Sequence, residues 1–350
     1  MKRLYIGSME RFSGKSLFCL GISFVLKEIG LKAGYIKPIG REPVQYRGKT
    51  VDADALFFKD LLSLEEPPEV LSPFVASLDA LNRTLSGRIR GVDKRIIKAI
   101  KSITGVDILL IAGTTNIFEG SVYGINGLNI TEATGAKALL VESWRQEETI
   151  DGIFAARQIM GESFLGVVFN RVRVEEMDFV KRRVSPYLKR HGIEVLGTIP
   201  YDRVLGAVTV KKLVEILGGR VLCAEDHVNE LVENFSIGAM DVTNALRYFR
   251  KTPNKAVITG AHRSDIQIAA LETSTKCVIL TGGLLPNDII IGKAKLKGIP
   301  VISVKDDTFT IIDRIERVMG KFRIREKGKI EQAVRVVRDN VDIKKILNGF

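Results

Sequence analysis

A Gly-Lys-Ser tripeptide at residues 14–16 lies between a strand-like run and a helix-like run, and this arrangement is the strongest constraint in the sequence. The apolar run KRLYIG precedes it at residues 2–7, and apolar residues with helical spacing follow at residues 16–29. In such a setting Gly-Lys-Ser binds phosphate, because loop N–H groups and the positive end of the helix dipole point at the anion. The alternative is a surface turn that contains these residues by chance.

The loop departs from the strict phosphate-binding pattern, in which a first glycine, four residues and then Gly-Lys-Ser follow one another. Met9 stands at the place of the first glycine, and Gly7 lies two positions earlier. Lys15 has the length to reach the β and γ oxygens of a nucleotide, and the Ser16 hydroxyl suits a magnesium ion. The predicted ATP-binding residues of this loop are Gly7, Ser13, Gly14, Lys15 and Ser16.

Strand-like and helix-like runs alternate along the chain of 350 residues, of which 45% are hydrophobic. Apolar strands separated by crossover helices indicate an α/β fold with a mostly parallel sheet and helices on both faces. The first such unit covers residues 1–210, and a smaller α/β domain covers residues 215–320. The charged residues 321–350 have a helical period and predict a tail helix that packs on either domain.

Charge and cysteine content restrict the class of protein. The net charge is +12, but Lys and Arg are scattered and form no stripe interleaved with aromatic residues, so a nucleic-acid partner is not favoured. Cys19, Cys223 and Cys277 are far apart and lack metal or redox spacing, which favours a reducing cytoplasm. No apolar run is long enough for a membrane span, so we expect no membrane partner.

The phosphate loop resembles that of dethiobiotin synthetase and its relatives, with Gly7 before a widened spacer and Gly14 before the lysine. Glu10 stands where the related deviant-loop ATPases carry a signature lysine, which disfavours that branch. The segment GYIKPIG at 34–40 is similar to the family segment whose lysine meets the substrate carboxylate. The resemblance, which extends through LGTIPYDRVLGAVTV at 196–210, implies a P-loop NTPase-type fold and assigns substrate contact to Lys37.

Two further segments carry predicted site residues. VDADALFF at 51–58 falls where the family has a metal-binding aspartate, and Asp54 is preferred over Asp52 for this role. Both aspartates also suit the first turn of a helix, where the dipole favours carboxylates. FNRV at 169–172 resembles the segment whose asparagine reads adenine, which assigns base contact to Asn170; turn formation at the strand end is the alternative.

The chain departs from the synthetase pattern at the central strand. The family reads Val-Glu-Gly there and its glutamate helps to hold magnesium, whereas this chain has Ala112 in that place. Loss of a metal carboxylate weakens the case for phosphoryl transfer more than the case for nucleotide binding. Glu119, in the following loop, is the predicted replacement, with an exposed loop residue as the alternative.

The second region resembles the DRTGG domain through AVITGAHRSDIQIAALE at 256–272, CVILTGG at 277–283 and IPVISVKDDTFTIIDRIE at 299–316. A synthetase-like domain followed by a DRTGG domain resembles the N-terminal regulatory half of long phosphate acetyltransferases. The sequence lacks their catalytic half, so we do not expect it to make acetyl phosphate by itself. Residues 262–265 and 281–283 are candidate ligand loops, with a capped helix start and a tight turn as the alternatives.

Three hypotheses follow. The favoured one is a cytoplasmic P-loop protein that binds ATP and Mg²⁺ and has a regulatory role in metabolism, with an unidentified small-molecule effector or substrate. The second is an ATP-dependent ligase or weak ATPase that phosphorylates a carboxylate or carbamate, with Lys15 and Lys37 as its catalytic residues. The third is a scaffold that binds no nucleotide. A homodimer is expected, since twofold symmetry is commonest among soluble oligomers and the synthetases form dimers.

Overall fold

The structure, a computed structural model, describes residues 1–319 and 327–350. It divides into two compact units, of which the first contains Met1–Tyr201 together with residues 327–350. The second runs from Asp202 to residue 319. The junction between the predicted second domain and the predicted tail, at residues 320–326, lies outside the described residues.

The first unit begins with ten strands and nine helices. The strands are β1 (Lys2–Gly7), β2 (Ala33–Ile36), β3 (Ile39–Gly40), β4 (Pro43–Tyr46), β5 (Lys49–Asp52), β6 (Phe74–Val75), β7 (Ile108–Ala112), β8 (Lys137–Ser143), β9 (Phe164–Val172) and β10 (Val195–Pro200). The helices are α1 (Lys15–Glu28), α2 (Ala53–Leu62), α3 (Pro68–Leu71), α4 (Leu78–Leu85), α5 (Val92–Ser102), α6 (Gly127–Thr134), α7 (Glu147–Met160), α8 (Met177–Phe179) and α9 (Ser185–Arg190). A π-helical turn, Val180–Val184, joins α8 to α9, so the helix predicted near 175–190 is one helical stretch.

Six of these strands form a parallel sheet in the order β10-β9-β8-β1-β7-β2. Every residue of β7 is buried, as expected for a parallel strand covered on both faces. The predicted α/β fold class is therefore confirmed. The chain leaves β1 toward β2 but leaves β8 toward β9, on the other side. Neighbours β1 and β8 thus form a topological switch point, where open α/β sheets bind ligands beyond the carboxyl ends of their strands.

The region between β2 and β7 differs most from the sequence prediction. The predicted strand AGYIKPI leaves the main sheet at Ile36, and Pro38, two residues later, has no N–H to donate. The next residues, Ile39–Gly40, pair instead with β6, and β4 and β5 form a hairpin. Helices α3 to α5 were not predicted from the sequence.

The second unit has a sheet of its own, formed by five of its strands. The strands of this unit are β11 (Val208–Thr209), β12 (Arg220–Cys223), β13 (Leu231–Val232), β14 (Asn234–Ile237), β15 (Lys255–Gly260), β16 (Thr275–Thr281) and β17 (Val301–Ser303). Its helices are α10 (Arg203–Gly206), α11 (Val210–Leu217), α12 (Val242–Lys251), α13 (Ser264–Leu271), α14 (Asp288–Leu296) and α15 (Thr308–Met319). The sheet order is β12-β17-β16-β15-β14, and only β12 among these is antiparallel to its neighbour.

Two last helices, α16 (Lys327–Asn340) and α17 (Ile343–Asn348), belong to the first unit. Val341 bridges to Gly197, and the Asp342 N–H donates to the Leu196 carbonyl at 2.8 Å. These contacts decide between the two placements that the sequence left open for the tail. Within the described ranges, no helix has the length and hydrophobicity that a bilayer crossing needs.

Candidate nucleotide-binding site

The predicted phosphate loop connects β1 to α1 at the switch point of the sheet. Gly14, directly before α1, has a left-handed backbone with φ of 103°. A Cβ at this position would lie 2.1 Å from the Asn170 amide nitrogen, so only glycine fits. Asn170 in turn donates that amide to the Ser13 carbonyl at 2.7 Å. The structure therefore brings the predicted loop residues and Asn170 together, although 157 positions separate Ser13 from Asn170.

Lys15 is buried in the loop, with 8% of its surface exposed. Its ammonium group donates to the Glu10 carbonyl at 3.2 Å and to the Thr115 carbonyl at 3.0 Å, and it also contacts the Ser13 hydroxyl. Burial lowers the pKa of Lys15 to about 8, although Glu142 and Glu10 act in the opposite direction. The neighbouring Ser16 is half-buried in the first turn of α1.

Glu142, near the carboxyl end of β8, holds the start of the loop. Only 4% of the residue is exposed. One carboxylate oxygen accepts the Met9 N–H at 2.6 Å and the other lies 3.1 Å from the Ser8 hydroxyl. Burial raises the pKa of Glu142 to about 7, against the effect of these two hydrogen bonds. Sequence reasoning missed this residue, although a glutamate next to the last residue of a buried parallel strand was a usable signal.

Glu10 holds the middle of the loop. Its carboxylate accepts the Ser143 N–H at 3.1 Å and pairs with the Arg145 guanidinium at 2.7 Å. Both partners follow or end β8, so two acidic side chains, Glu10 and Glu142, connect the loop to this strand. Glu10, which stands where the deviant-loop ATPases carry a lysine, therefore forms an internal ion pair with Arg145 in this chain.

Lys37 lies just beyond β2 and is paired with both aspartates of the next motif. Its ammonium group is 2.7 Å from Asp54 and 3.2 Å from Asp52, and all three residues are buried. Burial alone would lower the pKa of Lys37, but the two carboxylates outweigh it and raise this pKa above its ordinary value. Asp52 also caps α2 by accepting the N–H groups of Asp54 and Ala55. Lys37 is therefore held as a permanent cation at the edge of the sheet.

Glu119 lies in the loop after β7 and is not an exposed loop residue. Its carboxylate pairs with Arg41 and accepts the Thr115 N–H, and only 10% of its side chain is exposed. Thr115 also supplies a carbonyl oxygen to Lys15, so Glu119 braces a segment that contacts the phosphate loop. Among the described residues, no cluster of three or more His, Cys, Asp or Glu side chains has an arrangement suited to a metal.

The candidate loops of the second unit are held by hydrogen bonds within that unit. Arg263 makes two hydrogen bonds to Asp265, each 2.9 Å long, and donates to the Met240 carbonyl. Gly282 and Gly283 have φ of 88° and 72°, in the left-handed region that favours glycine. The Thr281 hydroxyl lies 3.0 Å from that of Thr308. Their role as a ligand site stays a prediction.

Family models match both units. The model of the AAA_26 family, described as an AAA domain, matches residues 2–209, more than half of the chain. The chain belongs to this AAA-domain family. A second model, described as a DRTGG domain, matches residues 212–318. The predicted pairing of a P-loop domain with a DRTGG domain is thereby confirmed.

The curated relatives include phosphate acetyltransferases. That of Pseudomonas putida is 23% identical and that of Synechocystis sp. is 24% identical, over 98% and 99% of this chain respectively. The matches cover 51% of each relative, so the chain spans about half the length of these proteins. The predicted resemblance to the N-terminal half of long phosphate acetyltransferases is confirmed.

Solved structures give more distant matches. Cobyrinic acid a,c-diamide synthase from Mycobacterium smegmatis, with bound ATP analog and magnesium, is 17% identical with a TM-score of 0.38. The match covers 58% of this chain and 88% of that one. The CBS and DRTGG domains of Clostridium perfringens pyrophosphatase, complexed with diadenosine tetraphosphate, are 16% identical with a TM-score of 0.29. That match covers 45% of this chain and 73% of that one.

Proposed function

We propose that this protein binds ATP with Mg²⁺ at the loop between β1 and α1 and uses the bound nucleotide to regulate metabolism. The observation that carries the proposal is the position of Lys15, a buried cation that donates to the Glu10 and Thr115 carbonyl oxygens and contacts the Ser13 hydroxyl. A phosphate oxygen is a stronger partner for an ammonium group than a neutral carbonyl, because the hydrogen bond is charge-assisted on both sides. The loop is therefore suited to exchange internal contacts for a nucleotide.

The residues around the loop suit a nucleotide phosphate better than a metal held by the protein alone. Gly14 allows close approach of the backbone, and Ser16 stands at the helix N-terminus with a hydroxyl oxygen. The proposed metal ligands Asp54 and Glu119 are paired with Lys37 and Arg41. Mg²⁺ keeps several waters and takes few protein ligands. We therefore propose Ser16 as the first protein ligand of Mg²⁺, with nucleotide oxygens as further ligands. Asp54 would become a ligand if it separated from Lys37, and Glu119 if it separated from Arg41.

The ligase hypothesis is supported by one specific observation. Lys37 is a buried cation at the carboxyl edge of the sheet, which suits an anionic substrate group. Its two carboxylate partners would first have to release it, and Ala112 offers no side-chain oxygen to a metal at the end of β7. Positioning and charge stabilisation account for most of phosphoryl-transfer catalysis. ATP turnover is therefore expected to be slow, and nucleotide binding is the primary proposal.

The DRTGG domain is the proposed site of regulation or assembly, through a small-molecule effector. The relatives named phosphate acetyltransferases make the metabolism of acyl phosphates the first place to look for that role. A cytoplasmic location is proposed because all three cysteines are buried free thiols. The homodimer stays a prediction for light scattering to check. Base contact by Asn170 also stays a prediction, since its amide now holds the loop.

Replacing Lys15 with alanine tests the nucleotide proposal. Lys15→Ala should weaken Mg-ATP binding by ten-fold or more, about 1.4 kcal/mol, because the charge-assisted bond to phosphate is lost. Isothermal titration calorimetry measures this change. Lys27→Ala, at an exposed position near the other end of the same helix, is the matched control and should bind like the parent. Equal affinities in Lys15→Ala and the parent would reject the proposal.

A further inference from the structure

The Ser8 hydroxyl occupies the centre of a small hydrogen-bond network. It accepts the Glu10 N–H at 3.0 Å and lies 2.9 Å from the Glu10 carbonyl and 3.1 Å from a Glu142 carboxylate oxygen. A serine hydroxyl has a single proton to donate. When Glu142 is ionised, two acceptors therefore compete for that proton.

Lys15 relieves this competition in the structure. Its ammonium group donates to the same Glu10 carbonyl at 3.2 Å, so the Ser8 proton is available to Glu142. A nucleotide phosphate that draws Lys15 away leaves the Glu10 carbonyl dependent on Ser8. One oxygen of the buried Glu142 carboxylate then has no donor, and leaving a buried charged group unsatisfied is costly.

A neutral Glu142 restores every bond of the network. Its carboxylic O–H donates to Ser8, and the Ser8 proton goes to the Glu10 carbonyl. The other Glu142 oxygen keeps the Met9 N–H. The phosphate groups also add negative charge near a carboxylate that is almost entirely buried, which favours the neutral form as well.

We propose that Glu142 is a positioning residue of the phosphate loop and that nucleotide binding is coupled to uptake of one proton by its carboxylate. The inference rests on the proposed nucleotide function and adds the residue through which pH acts on it. The proton comes from the buffer and no bond to the nucleotide changes. By reciprocity, conditions that protonate Glu142 strengthen nucleotide binding.

The charged groups acting on Glu142 support this coupling. Burial and the Glu10 carboxylate raise its pKa, and Lys15 lowers it, so the group is balanced near neutrality. Its unbound form is therefore partly ionised at pH 7 and can take up a fraction of a proton. Burial lowers the pKa of Lys15 to about 8, so Lys15 is mostly charged at that pH.

The test is calorimetric titration of the full chain with Mg-ATP at pH 7, in two buffers of different protonation enthalpy. The difference in measured heat gives the number of protons taken up. The parent should take up a measurable fraction of a proton. Glu142→Gln should bind Mg-ATP at least as tightly with a clearly smaller uptake, because the amide reproduces the neutral acid and does not titrate. Glu148→Gln, which removes an exposed carboxylate paired with Arg145, should behave like the parent.

Each outcome of the titration supports or contradicts the coupling between nucleotide binding and protonation of Glu142. Tight binding by the parent without measurable proton uptake overturns the coupling but leaves the nucleotide function intact. Unchanged uptake in Glu142→Gln also overturns it and assigns the proton to another group. Failure of the parent to bind Mg-ATP rejects the proposed function and this inference with it. If Glu142→Gln does not fold, an infrared difference spectrum of the parent decides: a neutral carboxyl band gained on binding is expected, and no gain contradicts the proposal.

Discussion

Three buried ionisable side chains at the carboxyl edge of the first sheet have different surroundings. Lys37 faces two carboxylates, which raise its pKa and keep it charged. Lys15 is held mainly by carbonyl oxygens, and burial lowers its pKa to about 8. Glu142 accepts bonds from neutral donors, and burial raises its pKa to about 7. Neutral partners compensate a buried charge less than an opposite charge does, so Lys15 and Glu142 titrate near neutrality while Lys37 does not.

Glu142 should make the stability of the first unit depend on pH. Its pKa in the folded chain is about 7 against an ordinary value of 4.5, so the folded state binds more protons between these values. The contribution of protonated Glu142 to the stability of the first unit is therefore complete below pH 4.5, and it is lost as the pH rises through about 7. Between pH 5 and 7.5 the parent should lose on the order of 2 kcal/mol relative to Glu142→Gln, whose amide does not titrate.

Urea unfolding measures this difference, followed by the fluorescence of Trp144, the single tryptophan, two residues from Glu142. Trp144 is buried against Phe169 with ring centroids 5.2 Å apart, so its emission reports the first unit. If the unfolding free energies of the parent and Glu142→Gln changed in the same way between pH 5 and 7.5, Glu142 would be ionised throughout this range and the prediction would be wrong.

At the scale of elements, α1 and α16 approach closely because α1 has a glycine at the contact. A Cβ on Gly21 would lie 2.4 Å from a Val337 methyl group and 2.8 Å from the Ala333 carbonyl oxygen. The backbone oxygen cannot move without moving its helix. Helix α1 therefore has one end in the candidate site and a face fixed by the C-terminal helices.

Gly21→Ala should destabilise the first unit by about 1–3 kcal/mol, because the added methyl group overpacks this contact. Gly152→Ala is the matched control, also a glycine within a helix of the first unit. Its Cβ would meet Met9 atoms at 3.7 and 3.8 Å, an ordinary contact. This control should be stabilised by up to about 1 kcal/mol through helix propensity. Trp144 fluorescence in urea measures both, and equal effects of the two substitutions would contradict the packing argument.

At the scale of the whole molecule, the first unit is made of two segments of the chain, and the second unit lies between them in the sequence. The tail helices bury apolar side chains there, including Ala333, Val337 and Ile346, each at most 1% exposed. A nucleotide domain taken as residues 1–210 alone would lack this packing. The C-terminal helices are thus part of the support of the phosphate loop.

Deleting residues 327–350 should lower the unfolding free energy of the first unit by several kcal/mol, since each fully buried aliphatic side chain contributes about 1.5–3 kcal/mol. Trp144 fluorescence in urea again gives the measurement. Arg338→Ala, which removes only the exposed ion pair with Glu28, should cost at most about 1 kcal/mol. If that substitution matched the deletion, the ion pair and not the buried face would hold the tail.

The sequence by itself determined the features that depend on neighbouring residues. Apolar periodicity gave the parallel strands and the helices 16–29 and 52–64, and Gly14-Lys15-Ser16 after a strand predicted the phosphate loop, because these signals lie within one strand, turn or helix. Motif order along the chain gave the two-domain resemblance.

The tertiary structure alone decided which distant residues meet. Met9 and Glu142 are 133 positions apart, and only the placement of β8 beside β1 brings this carboxylate to the loop. The pairing of Glu119 with Arg41 and the return of the tail to α1 are decided in the same way. Periodicity shows which face of an element is buried but not which element covers it. Strand order and packing across the sheet decide that, and with it the protonation of the groups that surround the loop.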